Sequence, residues 1–287
     1  MQTVTTLEML RNAVAGLREG GKTLALVPTM GALHEGHLTL VREAKRHADY
    51  GAVSIFVNPT QFGEGEDLDA YPRQLAQDSA MLEAEGVALL WAPSVDVMYP
   101  DGFASSISVD GVSADFCGAA RPGHFDGVAT VVCKLFHQVL PDVALFGEKD
   151  WQQLAVIRRM ARDLDLTRPF ADDIIGVPTV REPDGLAMSS RNRYLSQQLR
   201  GAAAALPNAM QLAIAEMEAG MDAEQSLRTL ERVLRESGFD SVDYAALADA
   251  DSLERLDRVG ARPARLLVAA RIGGTRLIDN MAVKGAA

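Results

Sequence analysis

An α/β protein is predicted: a doubly wound, Rossmann-like parallel sheet followed by a second, smaller α+β domain. Short apolar runs closed by breakers recur with helix-spaced stretches between them, which is how a parallel sheet covered by helices reads in sequence. The character changes after Pro183-Asp184-Gly185, where Ala-rich helical stretches take over. Near the C-terminal end, two apolar runs flank Gly273-Gly274, a hairpin signal.

Residues 23–27 read as the first strand, ended by Pro28, and residues 38–48 have helical spacing. Residues 52–57 form the next strand, closed by Asn58-Pro59, and the unit is βαβ. Helices are then expected at 75–85, 127–140 and 151–164, alternating with strands at 88–91, 143–146 and 173–177. Past residue 180 the pattern predicts helices at 197–216 and 223–236 and a hairpin of 266–270 with 275–279. The expected domains are therefore residues 1–179 and 180–287.

Lys and Arg number 28 against 39 Asp and Glu, a net charge of −11, and no basic block tracks a phosphate backbone. A nucleic-acid partner is disfavoured. An anionic small substrate is not, because helix N-termini and a few cations supply local positive charge. Cys117 and Cys133 are too few for a disulfide framework or a four-Cys zinc site. No apolar run reaches the ~18 residues of a membrane span. Glu8 and Arg11 interrupt the first apolar stretch, so a cytoplasmic protein is expected.

The first candidate site is Pro28-Thr29-Met30-Gly31-Ala32-Leu33-His34-Glu35-Gly36-His37, between a strand and the helix after it. In a doubly wound sheet this loop is at the carboxyl end of a strand, where ligands bind. Gly31 and Gly36 permit close backbone approach, and the helix start offers N–H groups to phosphate. His34 and His37, three apart, are expected on one face of the first turn, aimed at charge developing on a transferring nucleotide. Helix capping is the bland alternative; zinc lacks a third ligand nearby.

Asn58 and Gln61 follow the second strand and are placed to present amides to a polar substrate. Arg121, in Arg121-Pro122-Gly123-His124, is suited to a carboxylate or phosphate. Gly147-Glu148-Lys149-Asp150 follows another strand and carries Lys149 toward a phosphate, with Gln153 one turn on. Met188-Ser189-Ser190-Arg191 offers two hydroxyls and a guanidinium in a loop.

His34-Glu35-Gly36-His37 resembles the HxGH signature of the nucleotidyltransferase superfamily, and the longer PTMGALHEGH string resembles the pantothenate synthetase family within it. The strings at 58–62, 121–128, 147–153 and 188–192 resemble that family's VNPxQF, SRPGHFxGV, FGEKDxQQ and MSSRN in the same order. The resemblance implies ATP-dependent joining of pantoate to β-alanine through a pantoyl-adenylate. It implies His34, His37, Lys149 and Arg191 as catalytic, and Met30 to His37, Gly147 to Asp150, Val180 and Met188 to Arg191 as the ATP site. Gln61, Gln153, Asn58 and Arg121 would bind pantoate or β-alanine. The family also implies a homodimer and Mg²⁺ with ATP, for which Asp78 is the candidate ligand. Gln77, Cys117 and Ala120 stand where many members carry an acid, a Glu and a Ser. Rival readings are a nucleotidylyltransferase, a non-catalytic nucleotide-binding module and a tRNA synthetase.

Overall fold

The computed structural model describes residues 1–284, which divide into two compact units. The first unit comprises residues 1–113, 121–148 and 153–178; the second comprises 114–120, 149–152 and 179 onward.

The first unit is built on strands β1 (Gln2–Val4), β2 (Leu24–Thr29), β3 (Tyr50–Ile55), β4 (Leu89–Trp91), β5 (Val143–Gly147) and β6 (Ile174–Val177). They form one sheet in the order β1-β4-β3-β2-β5-β6, with every registered pair parallel. The order reverses between β2 and β5, so the carboxyl ends of those strands make the switch point at which such sheets bind ligands. Along the chain come helices α1 (Leu7–Leu17), α2 (Glu35–His47), α3 (Leu75–Ala84), α4 (Val95–Met98), α5 (Cys117–Ala120), α6 (His124–Val139) and α7 (Trp151–Asp163), of which α5 belongs to the second unit. Leu24, Ala25, Leu26 and Val27 are all buried, as expected of a strand covered on both faces. Leu40, Val41 and Ala44 of α2 pack on Ala25, Val27, Val53 and Leu145 of the sheet.

The second unit contains α8 (Gln197–Ala203), α9 (Ala205–Glu218) and α10 (Ala223–Glu236), then β7 (Ser241–Asp249), β8 (Ala264–Ile272) and β9 (Thr275–Val283) in an antiparallel sheet. Leu266, Val268, Ala270 and Ile272, alternate residues of β8, join Met210 of α9 and Leu230 and Leu234 of α10 in one core.

The doubly wound sheet and the added α+β unit were both expected. The differences have local causes. Pro28 lies inside β2 instead of ending it, at a point where only β3 is registered, so the missing N–H interrupts no ladder to β5. The helix expected over 197–216 breaks at Ala204, because Pro207 lacks an N–H and its ring crowds the carbonyl four residues back. Strand β7 was not expected: its Ala-rich sequence carries little strand propensity, and pairing with β8 decides its conformation.

Candidate active site

Beyond Thr29 the chain enters a tight loop in which Gly31 has φ 82° and Ala32 φ 51°. The left-handed region costs a non-glycine residue about 1–2 kcal/mol, so Ala32 must be held there. Asp78 of α3 does this. Its carboxylate, on a side chain only 1% exposed, accepts the Ala32 N–H at 2.9 Å through Oδ2 and the Leu33 N–H at 2.9 Å through Oδ1. Gln74 Nε2 donates to Oδ1 at 3.1 Å. Gly31 cannot be replaced without disturbing this arrangement, since a Cβ there would lie 3.0 Å from Asp78 Oδ2 and 3.1 Å from Ile55 Cγ2.

The loop delivers His34 as the N-cap of α2 and His37 as its third residue, so only His37 is on the first turn. The rings nevertheless converge, with centroids 4.1 Å apart. His34 Nδ1 accepts the Gly36 N–H at 3.2 Å, and His37 Nδ1 accepts the His34 N–H at 3.3 Å. An Nδ1 that accepts from a backbone amide leaves the ring proton of the neutral imidazole on Nε2. Capping and the charge-stabilising role are therefore compatible: the cap uses Nδ1 and sets Nε2–H as the donor of each ring. Glu35 turns away and pairs with Arg42.

Asn58 and Gln61 flank a short turn after β3. Asn58, 1% exposed, uses Nδ2 on Gln61 Oε1 at 3.2 Å and on the Gly127 carbonyl at 3.1 Å. Its Oδ1 accepts from Thr60 Oγ1 at 2.9 Å and Tyr99 Oη at 2.8 Å. The geometry makes Asn58 a holder of Gln61, whose own Nε2 reaches Met30 Sδ at 3.0 Å. The turn is pressed on α6: a Cβ at Gly127 would stand 2.4 Å from the Thr60 carbonyl oxygen.

Arg121 grips Glu66 with two hydrogen bonds of 2.6 Å and donates to the Gln61 carbonyl at 3.2 Å. The Arg121 guanidinium holds the Glu66 carboxyl at about 2, against the desolvation that would raise it. Thus Arg121, expected to await a substrate carboxylate, is engaged by a carboxylate of the 63–69 loop. An open cavity of about 240 Å³ lies over the ends of β2, β3 and β4, with Met30, Gly31 and Asp78 in its wall.

In the second unit, Lys149 is anchored through its carbonyl, which accepts from Asn280 Nδ2 at 2.9 Å, while its Nζ is 3.6 Å from Asp150 Oδ1. Residues 180–192 are wound into a compact loop. The Met188 N–H donates to the Val180 carbonyl at 3.0 Å, and Arg181 pairs with Ala187 in an antiparallel bridge. Arg181 donates to both oxygens of buried Asp279, at 2.6 and 2.9 Å, and to the Gly185 carbonyl at 3.0 Å. Ser189 Oγ accepts the Arg191 N–H at 3.3 Å and caps the turn Ser190–Tyr194, in which Ser190 is buried. Gln152 is buried, bonded to the Cys117 N–H and the Asp115 carbonyl, whereas Gln153, which belongs to the first unit, is half-buried. Cys117 Sγ is 3.0 Å from Tyr244 Oη, and burial, then the Cys117 sulfur, raises that phenol.

A pantoate-β-alanine ligase family model matches residues 2–282. The chain belongs to the pantoate-β-alanine ligase family. A pantothenate synthetase of Novosphingobium aromaticivorans is 70% identical over 99% of both chains, and one of Sphingopyxis alaskensis is 62% identical over 99% of this chain and 100% of the relative. The crystal structure of pantothenate synthetase from Thermus thermophilus superposes with a TM-score of 0.90 at 48% identity, covering 99% of each chain. That of pantoate-β-alanine ligase from Francisella tularensis, complexed with βγ-ATP and β-alanine, gives 0.83 at 33% identity over 98% of this chain and 97% of that one.

In this family member Asp78 does not fit the metal-ligand role expected of it. Its oxygens are committed to amide donors, and among the described residues no group of three or more His, Cys, Asp or Glu can hold a metal ion. Sequence reading missed the partners that hold the site: Glu66 lies among other acids with nothing to single it out, and the Arg181–Asp279 pair spans 98 positions.

Proposed function

We infer that the chain joins pantoate to β-alanine at the expense of ATP, releasing AMP and pyrophosphate. Membership of the ligase family supports the overall reaction. The assignment of residues to steps rests chiefly on one observation: both rings of the HxGH loop have Nδ1 occupied by backbone amides, which makes each Nε2–H a fixed donor.

A carboxylate is a poor electrophile and must be activated before an amine attacks it. Gln61, held by Asn58, and Gln153 orient pantoate. A pantoate carboxylate oxygen attacks the α-phosphorus of ATP, the bond from that phosphorus to the bridging oxygen breaks, and pyrophosphate carries the electron pair away. His34 and His37 donate from Nε2 to the charge that builds on the phosphorus oxygens. Lys149, Ser189, Ser190 and Arg191 neutralise the departing pyrophosphate, and the backbone of Met30 to His37, Gly147 to Asp150, Val180 and Met188 lines the nucleotide. Magnesium belongs to the ATP substrate in this scheme. The deprotonated amine of β-alanine then attacks the acyl carbon, the acyl–oxygen bond to AMP breaks, and the amine proton passes to solvent. The ligands named for the Francisella tularensis structure, βγ-ATP and β-alanine, accord with this substrate set.

The units follow the same division of labour, the first carrying the HxGH loop and the pantoate residues, and the second, which takes in 149–152 as well as 179 onward, carrying the phosphate-clamping residues. A cytoplasmic homodimer is part of the proposal; no helix among the described residues is long and apolar enough to cross a membrane.

The deciding experiment is exchange of labelled pyrophosphate into ATP with Mg²⁺, with and without pantoate and always without β-alanine. Pantoate-dependent exchange is expected, with pantothenate and AMP appearing once β-alanine is added. Exchange indifferent to pantoate would reject the substrate assignment and favour a nucleotidylyltransferase.

A further inference from the structure

We propose that Asp78 is the positioning residue of the HxGH loop: its carboxylate, by gripping the Ala32 and Leu33 amides, sets the height and direction from which His34 and His37 approach the reacting phosphate. The inference rests on the ligase reading of the site and deepens it.

Asp78 belongs to α3, some forty-five positions from the loop it holds, yet both of its oxygens end on consecutive loop amides at 2.9 Å. At 1% exposure the carboxylate is almost withdrawn from solvent, so these amides and Gln74 Nε2 supply its compensation. Gly31 is shaped to admit it, the would-be Cβ lying 3.0 Å from Oδ2. Ala32 is kept at a positive φ that only an external hold makes stable, and His34 follows Leu33 directly. A displacement of the loop therefore moves the cap of α2 and both imidazoles together, and misplacing catalytic groups by about 1 Å costs on the order of 10²-fold in rate. The family resemblance offered Asp78 as a metal ligand; the geometry assigns its oxygens to the loop.

Asp78→Asn presents an amide N–H₂ to a backbone N–H where an acceptor is required. The test is steady-state turnover and pantoate-dependent pyrophosphate exchange of the full-length protein as wild type, Asp78→Asn, His37→Ala and the double variant. Asp78→Asn is expected to lower kcat by roughly 10- to 100-fold, with the KM for pantoate little changed. In the double variant the losses should combine to less than their product, because part of the effect of the clamp passes through His37 and only the part through His34 remains. Wild-type turnover in Asp78→Asn, losses that multiply in the double variant, or recovery of Asp78→Asn on raising Mg²⁺ would each overturn the proposal, the last by restoring the metal role. Gln74→Leu removes one donor to Oδ1 from a partly exposed position. It is expected to show a smaller kcat loss that is likewise less than multiplicative with His37→Ala, and it decides the matter should Asp78→Asn not fold by near-UV circular dichroism. Absence of pantoate-dependent exchange in the wild type would instead remove the ligase reading, so the two failures are separable.

Discussion

His37 and Lys149 are placed by unlike means, and their variants should fail differently. His37 is the third residue of α2, with Nδ1 fixed by the His34 N–H. His37→Ala is expected to lower kcat by about 10²-fold, roughly 2.7 kcal/mol of transition-state stabilisation, without loss of the folded state. Steady-state kinetics beside an unfolding curve checks this, and wild-type turnover would remove His37 from the chemistry. Lys149, with a side chain 19% exposed, is proposed to supply charge instead of geometry, so Lys149→Ala should raise the KM for ATP and slow the first half-reaction. An unchanged rate of adenylate formation would reject its phosphate role. Glu66 gives a pH prediction. Arg121 depresses its folded value to about 2 from an ordinary 4.5, so the pair contributes fully above about 4.5 and is lost as pH falls through about 2. Proteolysis of the 63–69 loop by an acid-stable protease should therefore accelerate on acidification across that window, and Glu66→Gln should be cut rapidly at every pH. A wild-type loop equally resistant at both ends of the window would show that the ion pair does not anchor it.

The contact of α6 with the turn after β3 shows a whole element setting the position of one amide. In an ordinary helix interior, Gly→Ala stabilises by roughly 0.5–1 kcal/mol. At Gly127 the added methyl would meet the Thr60 carbonyl oxygen at 2.4 Å and its carbon at 2.6 Å, far inside van der Waals contact and against backbone. Overpacking of that kind typically costs about 1–3 kcal/mol, so the steric term wins. Gly127→Ala is expected to be less stable in urea and to raise the KM for pantoate, because the displaced turn carries Asn58 and Gln61 with it. A stabilised variant with unchanged KM would show that the helix does not locate Gln61.

At the scale of the molecule, a chain of net charge −11 is expected to bind a polyanionic nucleotide and a carboxylate. Net charge does not decide local potential: the start of α2 offers N–H groups at the HxGH loop, Lys149 and Arg191 lie within their own motifs, and acids elsewhere are held in surface pairs such as Arg159–Asp163 and Arg232–Glu236. Binding confined to the folded state stabilises it, by about 2.7 kcal/mol at a hundredfold excess over Kd. Calorimetry with saturating Mg–ATP and pantoate should show a corresponding rise in melting temperature, and a transition indifferent to both ligands would contradict the substrate assignment.

Periodicity and breakers were enough to read β2 to β6 of the parallel sheet, the helices α2, α3, α6 and α7 and the hairpin of β8 with β9, because those signals are carried by neighbours in the chain; β1 and α1 were not read. The candidate residues stood out for a related reason: His34, His37, Gln61 and Lys149 occur in short strings after strand ends and Arg191 in a short loop string, each visible as neighbours in the chain. What holds those strings in place was not legible. The breadth of β7, the grip of Asp78 on Ala32 and Leu33, the seat of Asn58 on Gly127 and the Arg181–Asp279 pair each join residues many positions apart. A lone buried Asp or Asn in a sequence has no visible partner, and its identity is compatible with a cap, a ligand or a clamp. Only the folded chain, by bringing a particular amide within 3 Å of a particular oxygen, chooses among them.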